Sequence, residues 1–129
     1  MQLLLDTHVV LWCLAGAPLS PEVLDTIRNR QNAVFVSAAT AWEVSIKQAL
    51  GKLNAPGNFE EAVEDAGFTA LPITLADALT AGRLPGHHAD PFDRMLIAQA
   101  LRRRMTLVSQ DSRFGEYDVR ILPARQRGP

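Results

Sequence analysis

The chain lacks most of the features that let a small protein dispense with an ordinary core. Its single cysteine, Cys13, excludes an internal disulfide framework and leaves no thiolate cluster for zinc. The longest apolar stretch, Val9 to Ala17, is about half the length that crosses a bilayer, so no transmembrane helix is expected. Glycine and proline, at eight each, are too few for a fibrous or low-complexity chain. The opening run Met1-Gln2-Leu3-Leu4-Leu5-Asp6 carries neither a basic leader nor an h-region. No secretion signal is expected, and a cytoplasmic location follows as the expectation.

What is present suits one globular unit. At 129 residues, 47% hydrophobic and 21% charged, the chain can bury about two-thirds of its surface in a single core. A single domain over residues 1–129 is expected, with about 123–129 as a loose tail. The net charge of −1 hides an asymmetry, because residues 1–100 sum to −5 and residues 101–129 to +4. Such polarity can seat a polyanion beside an acidic cleft, or belong to a solvated helix face.

Short β-like runs alternate with longer helical patterns. Leu3-Leu4-Leu5 reads as a buried strand ending at Asp6, and Thr7 as the cap of a helix to about Ala15. Ser20-Pro21-Glu22 opens a helix to about Arg30. Ala33–Val36 is a second strand, followed by a helix from about Ala38 to Leu50 that Gly51 ends. Its Ala39, Trp42 and Ile46 suggest a largely buried helix. Asn58 caps the next helix. Thr69–Ile73 is a third strand, and a helix near Leu75–Ala81 precedes a Pro/Gly/His loop over 84–90. An amphipathic helix from Pro91 to about Arg104 turns Met95, Ile97, Ala98 and Leu101 inward. Thr106–Val108 and Val119–Leu122 complete five short strands. This is the pattern of an α/β fold with a mostly parallel central sheet flanked by helices.

In open parallel sheets, ligands gather at the carboxyl ends of the strands. Asp6 closes the first strand, Ser37 the second, and Ser109 with Asp111 the fourth, while Glu43 and Asp93 lie in adjacent helices. Four carboxylates far apart in sequence can therefore meet on one edge. Each also has a local role open to it. Asp6 can cap the first helix, Glu43 can pair with Lys47 at i+4, and Asp111 can open a turn. Asp90 is the natural N-cap of Asp90-Pro91-Phe92-Asp93, with Asp93 in the first helical turn. Clustered carboxylates repel and raise at least one pKa. A hard cation, Mg²⁺ or Mn²⁺, removes that penalty and takes oxygen ligands. It also supports phosphodiester hydrolysis, where the nucleophile approaches a group already negative.

Four blocks then carry a resemblance: Leu3-Leu4-Leu5-Asp6-Thr7-His8, Ser37-Ala38-Ala39-Thr40-Ala41-Trp42-Glu43, His88-Ala89-Asp90-Pro91-Phe92-Asp93-Arg94 and Leu107-Val108-Ser109-Gln110-Asp111. In order, spacing and length the chain resembles the PIN-domain nucleases. More narrowly, it resembles VapC-type toxins of type II toxin–antitoxin systems. The resemblance implies a PIN-like fold and a metal-dependent endoribonuclease, held silent by a cognate antitoxin protein and forming a homodimer. It puts the family's acids on Asp6, Glu43, Asp93 and Asp111, as ligands of Mg²⁺ or Mn²⁺. The polar helpers fall on Thr7 and on Ser109, where many relatives have Thr.

RNA contacts are expected from Lys47, Lys52, Arg94, Arg102, Arg103 and Arg104. Structural roles are favoured for His87 and His88, with His88 orienting its loop, and packing for Cys13. Trp12 and Trp42 read as core or partner-facing aromatics. Two apolar patches are expected to be available. One combines Val9, Val10, Trp12, Cys13 and Leu14 with Val44, Ile46 and Leu50, and receives an antitoxin segment; the other, on the helix from Pro91, supports a dimer. A phosphohydrolase forming an aspartyl-phosphate on Asp6 is one alternative, although His8 stands where that chemistry wants a second Asp. A catalytically idle module that binds RNA or protein is another.

Overall fold

A computed structural model describes residues 1–55 and 57–125. Among these residues five strands form one sheet, β1 (Gln2–Leu5), β2 (Ala33–Ser37), β3 (Thr69–Leu71), β4 (Thr106–Ser109) and β5 (Ile121–Pro123). Their order is β3-β2-β1-β4-β5 and every pairing is parallel. Six helices flank it: α1 (Thr7–Ala15), α2 (Pro21–Arg28), α3 (Ala38–Ala49), α4 (Phe59–Asp65), α5 (Leu75–Arg83) and α6 (Pro91–Arg103). A 3₁₀ turn over Ser112–Glu116 links β4 to β5.

The two-residue period of a strand sorts the core into two layers. Leu3 and Leu5 point to one face, where they pack with Val9 and Val10 of α1, Val23 of α2 and Val63 of α4. Leu4 points to the other, against Leu96, Ile97 and Ala100 of α6 and Phe114 of the 3₁₀ turn. The chain turns one way from β1 to β2 and the other way to β4, so the order of the sheet reverses at β1. A crevice at the carboxyl ends of β1 and β4 is where such sheets bind ligands.

Local signals set most boundaries. Ser20 Oγ caps α2 through Val23 N, with Pro21 at N1, and Asn58 caps α4. Of the two candidate caps of α1, Asp6 takes the position rather than Thr7; Oδ1 of Asp6 accepts from Val9 N at 2.9 Å. β3 stops at Leu71 because Pro72 has no N–H for the ladder. The expected loose tail is packed over 123–125. Pro123 ends β5, Ala124 is fully buried, and the Arg125 guanidinium lies 3.6 Å over the Trp12 ring. Residues 126–129 lie outside the described residues.

The exposed apolar surface also differs from expectation. Val9, Val10 and Val44 are core residues, as are Leu96, Ile97 and Ala100 of α6, while Phe92 and Met95 of that helix stay half-buried beside Trp42. Trp42 is 61% exposed and Leu75 80% exposed, so the open apolar face belongs to α3 and α5. Among the described residues no helix is long and apolar enough to cross a membrane.

Candidate metal centre

Asp6 leaves β1 and enters α1 with its amide donating to Val108 O of β4 at 3.0 Å. Its two carboxylate oxygens have separate tasks. Oδ1 caps α1, and Oδ2 accepts from the Ser109 hydroxyl at the end of β4. Ser109 Oγ in turn accepts from Asp111 N at 3.0 Å, so one hydroxyl ties the first acid to the last. Thr7 works in the same way towards α3. Its hydroxyl donates to Glu43 Oε1 at 2.6 Å and lies 3.2 Å from the Thr40 hydroxyl. Glu43 Oε2 accepts from Lys47 Nζ at 2.7 Å. The i+4 pair read from the sequence therefore forms, while the Glu43 carboxylate itself is buried at the site edge.

The N-terminus of α6 supplies the third acid. Asp90 Oδ1 accepts from Phe92 N and Asp93 N, which makes Asp90 the cap and frees the Asp93 side chain. Asp93 Oδ2 faces His88, with Nε2 at 2.9 Å, and Asp111 Oδ2 stands 3.9 Å from the same nitrogen. Potential donor atoms of His88, Asp93 and Asp111 all lie within 4.8 Å of one another. Asp111 caps the 3₁₀ turn through Arg113 N, and both its oxygens accept from the Arg113 guanidinium.

Charge balance across the site is uneven. Burial raises the Asp93 carboxyl to about 6; Asp90, Glu43 and Asp6 add repulsion, and His88 partly opposes them. Burial also raises Asp6, against the hydrogen bonds from Ser109 and Val9 N, with Asp111 adding to the rise. Asp111 moves the other way because the Arg113 guanidinium holds it down. Glu43 lifts its partner Lys47 by hydrogen bond and charge. Among the described residues, no Lys or Arg pairs with Asp6 or Asp93. A buried and a half-buried carboxylate, neither paired with a Lys or Arg, fit a divalent cation that takes oxygen ligands.

Most of the expected RNA-contacting cations are engaged inside the protein. Arg94 bonds to four carbonyls, those of Ala81, Leu84, Pro85 and His88, at 2.7–3.0 Å. It clasps the 84–90 loop. Arg102 and Arg103 both bind the fully buried Asp77 of α5, Arg103 through two nitrogens at 2.7 and 2.9 Å. Asp77 also completes a capping box with Thr74, a Thr-x-x-Asp signal that was readable in the sequence. Arg104 is the αL cap of α6. Lys52 and Arg104 remain exposed.

The remaining side chains settle as packing groups. Burial pushes the Cys13 thiol up to about 11 and leaves it a poor nucleophile. His87 stacks edge-on against Tyr117. His88 is the residue whose place sequence reasoning underrated, since it is buried and aimed between two acids. No spacing rule signals that position.

Comparison with known proteins gives this geometry a family. Residues 3–120 match the model of the PIN domain. No curated protein sequence matches. Among solved structures, VapBC2 from Rickettsia felis, bound to a DNA fragment from its promoter, is similar with a TM-score of 0.71 at 13% identity, covering 95% of this chain and 98% of that one. DNA-bound VapBC from Salmonella typhimurium gives 0.66 at 21% identity, covering 95% and 97%. VapBC-5 from Mycobacterium tuberculosis gives 0.60 at 20% identity, covering 97% and 98%. The parallel five-stranded sheet, the acids gathered where its order reverses and the match over nearly the whole length agree, and the chain belongs to the PIN domain family.

Proposed function

We propose that the protein is a metal-dependent endoribonuclease and the toxin of a type II toxin–antitoxin pair. The observation that carries this reading is the meeting of Asp6, Glu43, Asp93 and Asp111 from β1, α3, α6 and the end of β4. Asp93 is held at about 6 by burial and its acidic neighbours. These four acids would hold Mg²⁺ or Mn²⁺. When bound, the ion supplies positive charge that activates water and offsets the charge developing on phosphorus. Ser109 fixes Asp6 Oδ2, Thr7 fixes Glu43 Oε1, and Asp90 keeps the α6 amides away from Asp93. Lys47 and Arg113 flank the acids and can turn to phosphate oxygens once their carboxylates are neutralised. Lys52 and Arg104 are exposed cations suited to backbone contact.

The solved VapBC neighbours support a protein antitoxin as partner. A groove of about 470 Å³ lies between α1 and the segment after α3, lined by His8, Leu11, Trp12, Leu14 and Leu53. An amphipathic antitoxin segment suits it, and an Arg or Lys from that segment would silence the acids by occupying them. The open apolar face of α3 and α5 suits a homodimer. A cytoplasmic location goes with that partnership.

The test is RNA cleavage by purified wild type and Asp6→Asn in Mg²⁺ or Mn²⁺, against an EDTA control, with mapping of new 5′ ends. Wild type is expected to cleave only with metal, and Asp6→Asn to be nearly inactive yet folded. Near-wild-type cleavage by Asp6→Asn overturns the assignment. Co-expression with the gene product encoded immediately upstream should give a co-purifying, silent complex. If the protein stays active and unbound, the toxin–antitoxin part falls and the nuclease part stands.

A further inference from the structure

His88 offers a nitrogen within reach of Asp93 and Asp111 and so completes a trio that a transition metal could use. Its Nε2 is buried, and the carboxylate 2.9 Å away lies off the line a hydrogen bond needs. An unpartnered buried nitrogen pointing at two acids has two explanations. It is either a lone pair awaiting a metal or an N–H donor awaiting a small movement of a carboxylate. The two differ in which ring nitrogen carries the proton.

The other side of the ring decides between them. Asp90 N donates to His88 Nδ1 at 3.3 Å, so Nδ1 is an acceptor and the proton lies on Nε2. A metal-ligating histidine has the opposite arrangement, donating its second N–H outward while the first nitrogen stays bare. Flipping the ring would set a C–H against the Asp90 amide and lose that bond. The ring is also held from behind. Tyr117 Oη accepts from His88 N at 2.9 Å and donates to Pro85 O at 2.6 Å, and Arg94 binds His88 O at 3.0 Å. Phe114 packs against the imidazole with ring centroids 5.7 Å apart. The loop, the helix cap and the core thus present one nitrogen, as a donor, between two acids.

We infer that His88 is a positioning residue whose Nε2–H, fixed by the Asp90 amide, spans Asp93 and Asp111 and keeps the ion's ligand set all-oxygen. This rests on the reading of the acids as an ion site and adds a selectivity to it. An all-oxygen set suits Mg²⁺ and Mn²⁺ and gives Zn²⁺ no nitrogen. The donor also draws together two carboxylates that would otherwise repel, which preserves the spacing that one ion needs.

Long-range ¹H–¹⁵N NMR of the labelled full chain reads the tautomer directly. With three histidines in the sequence, comparison with His88→Gln identifies the signal. Nε2 is expected to be protonated and Nδ1 bare, both without metal and with saturating Mg²⁺. Mn²⁺ affinity, followed by electron paramagnetic resonance, should fall about tenfold or more in His88→Leu, the usual effect of losing a ligand-orienting partner. His88→Gln, which keeps a donor, should stay within a few-fold of wild type and retains a folded reference if His88→Leu melts. A proton on Nδ1, or a Nε2 resonance that shifts as a ligand when Zn²⁺ is added, overturns this inference while leaving Mn²⁺ binding intact. A wild type that binds no Mn²⁺ overturns both the inference and the nuclease reading.

Discussion

Replacing Asp93 with Asn should stabilise the metal-free protein, against the usual expectation for a site residue. The carboxyl is raised from its ordinary 3.8 to about 6. At face value that shift corresponds to about 3 kcal/mol of destabilisation when the group is ionised. The side chain is 21% exposed, and solvent screening cuts this to about 1.5 kcal/mol. Loss of a negative charge from the first turn of α6 returns about 0.5 kcal/mol. The net gain for Asp93→Asn is about 1 kcal/mol, or roughly 3–5 °C in melting temperature for a chain of this size. A raised carboxyl favours the folded state while protonated. Its contribution is fully present below about pH 4 and lost as pH rises through 6. Asn mimics the protonated form, so the gain should be present at pH 8 and vanish at pH 4. Melting in EDTA across that range checks it. A mutant that melts below wild type at pH 8, or a difference that ignores pH, refutes the reasoning. Saturating Mn²⁺ should reverse the order at pH 8, because the wild type binds the ion more tightly.

Arg94→Lys keeps the charge but not the fork that reaches four carbonyls. It should cost about 2 kcal/mol in urea melts and speed amide exchange across 84–90 before the rest of the chain. Asp77→Asn removes the acceptor shared by Arg102 and Arg103 and should cost about 2–4 kcal/mol at pH 7. The two guanidinium groups hold the Asp77 carboxyl well below its ordinary value. Its stabilisation is complete above about pH 4 and lost as pH falls, so the gap from wild type should narrow in acid. Arg104 sits at φ 55°, and Arg104→Gly should raise stability by about 0.5–1 kcal/mol in thermal melts.

Much of the fold was legible because its signals are local. Ser20-Pro21-Glu22 and Asp90-Pro91 each put a cap acceptor and a pre-set φ at one helix start, and the structure begins α2 and α6 there. Leu3-Leu4-Leu5 reads as a strand covered on both faces, as it is. What could not be read depends on partners distant in sequence. Arg102 and Arg103 resemble any basic helix end until α5 brings Asp77 beneath them. Arg94 looks like a free cation until the 84–90 loop folds back over it. Trp42 and Ile46 share an apolar spacing with Ala39, yet only Ala39 is buried, because periodicity does not say which stripe of α3 meets the protein.

The same distinction governs the acids. The placement of Asp6 and Asp111 after strand ends and of Glu43 and Asp93 on the helices beside them was legible, since a parallel sheet brings its carboxyl edges together whatever lies between. Their inequality was not. Asp6 is tied by Ser109 across 103 residues, Asp111 is neutralised by Arg113 two positions away, and Glu43 is shared between Thr7 and Lys47. Asp93 has no Lys or Arg partner among the described residues and faces the His88 ring, with Nε2 at 2.9 Å, so burial and repulsion from Asp90, Glu43 and Asp6 collect on it. A site whose strain concentrates on one carboxylate has a single place where an arriving positive charge is rewarded most. On the proposed reading a metal ion and an antitoxin Arg or Lys would compete for the vicinity of Asp93, so the substitution that stabilises the empty protein should weaken both encounters together.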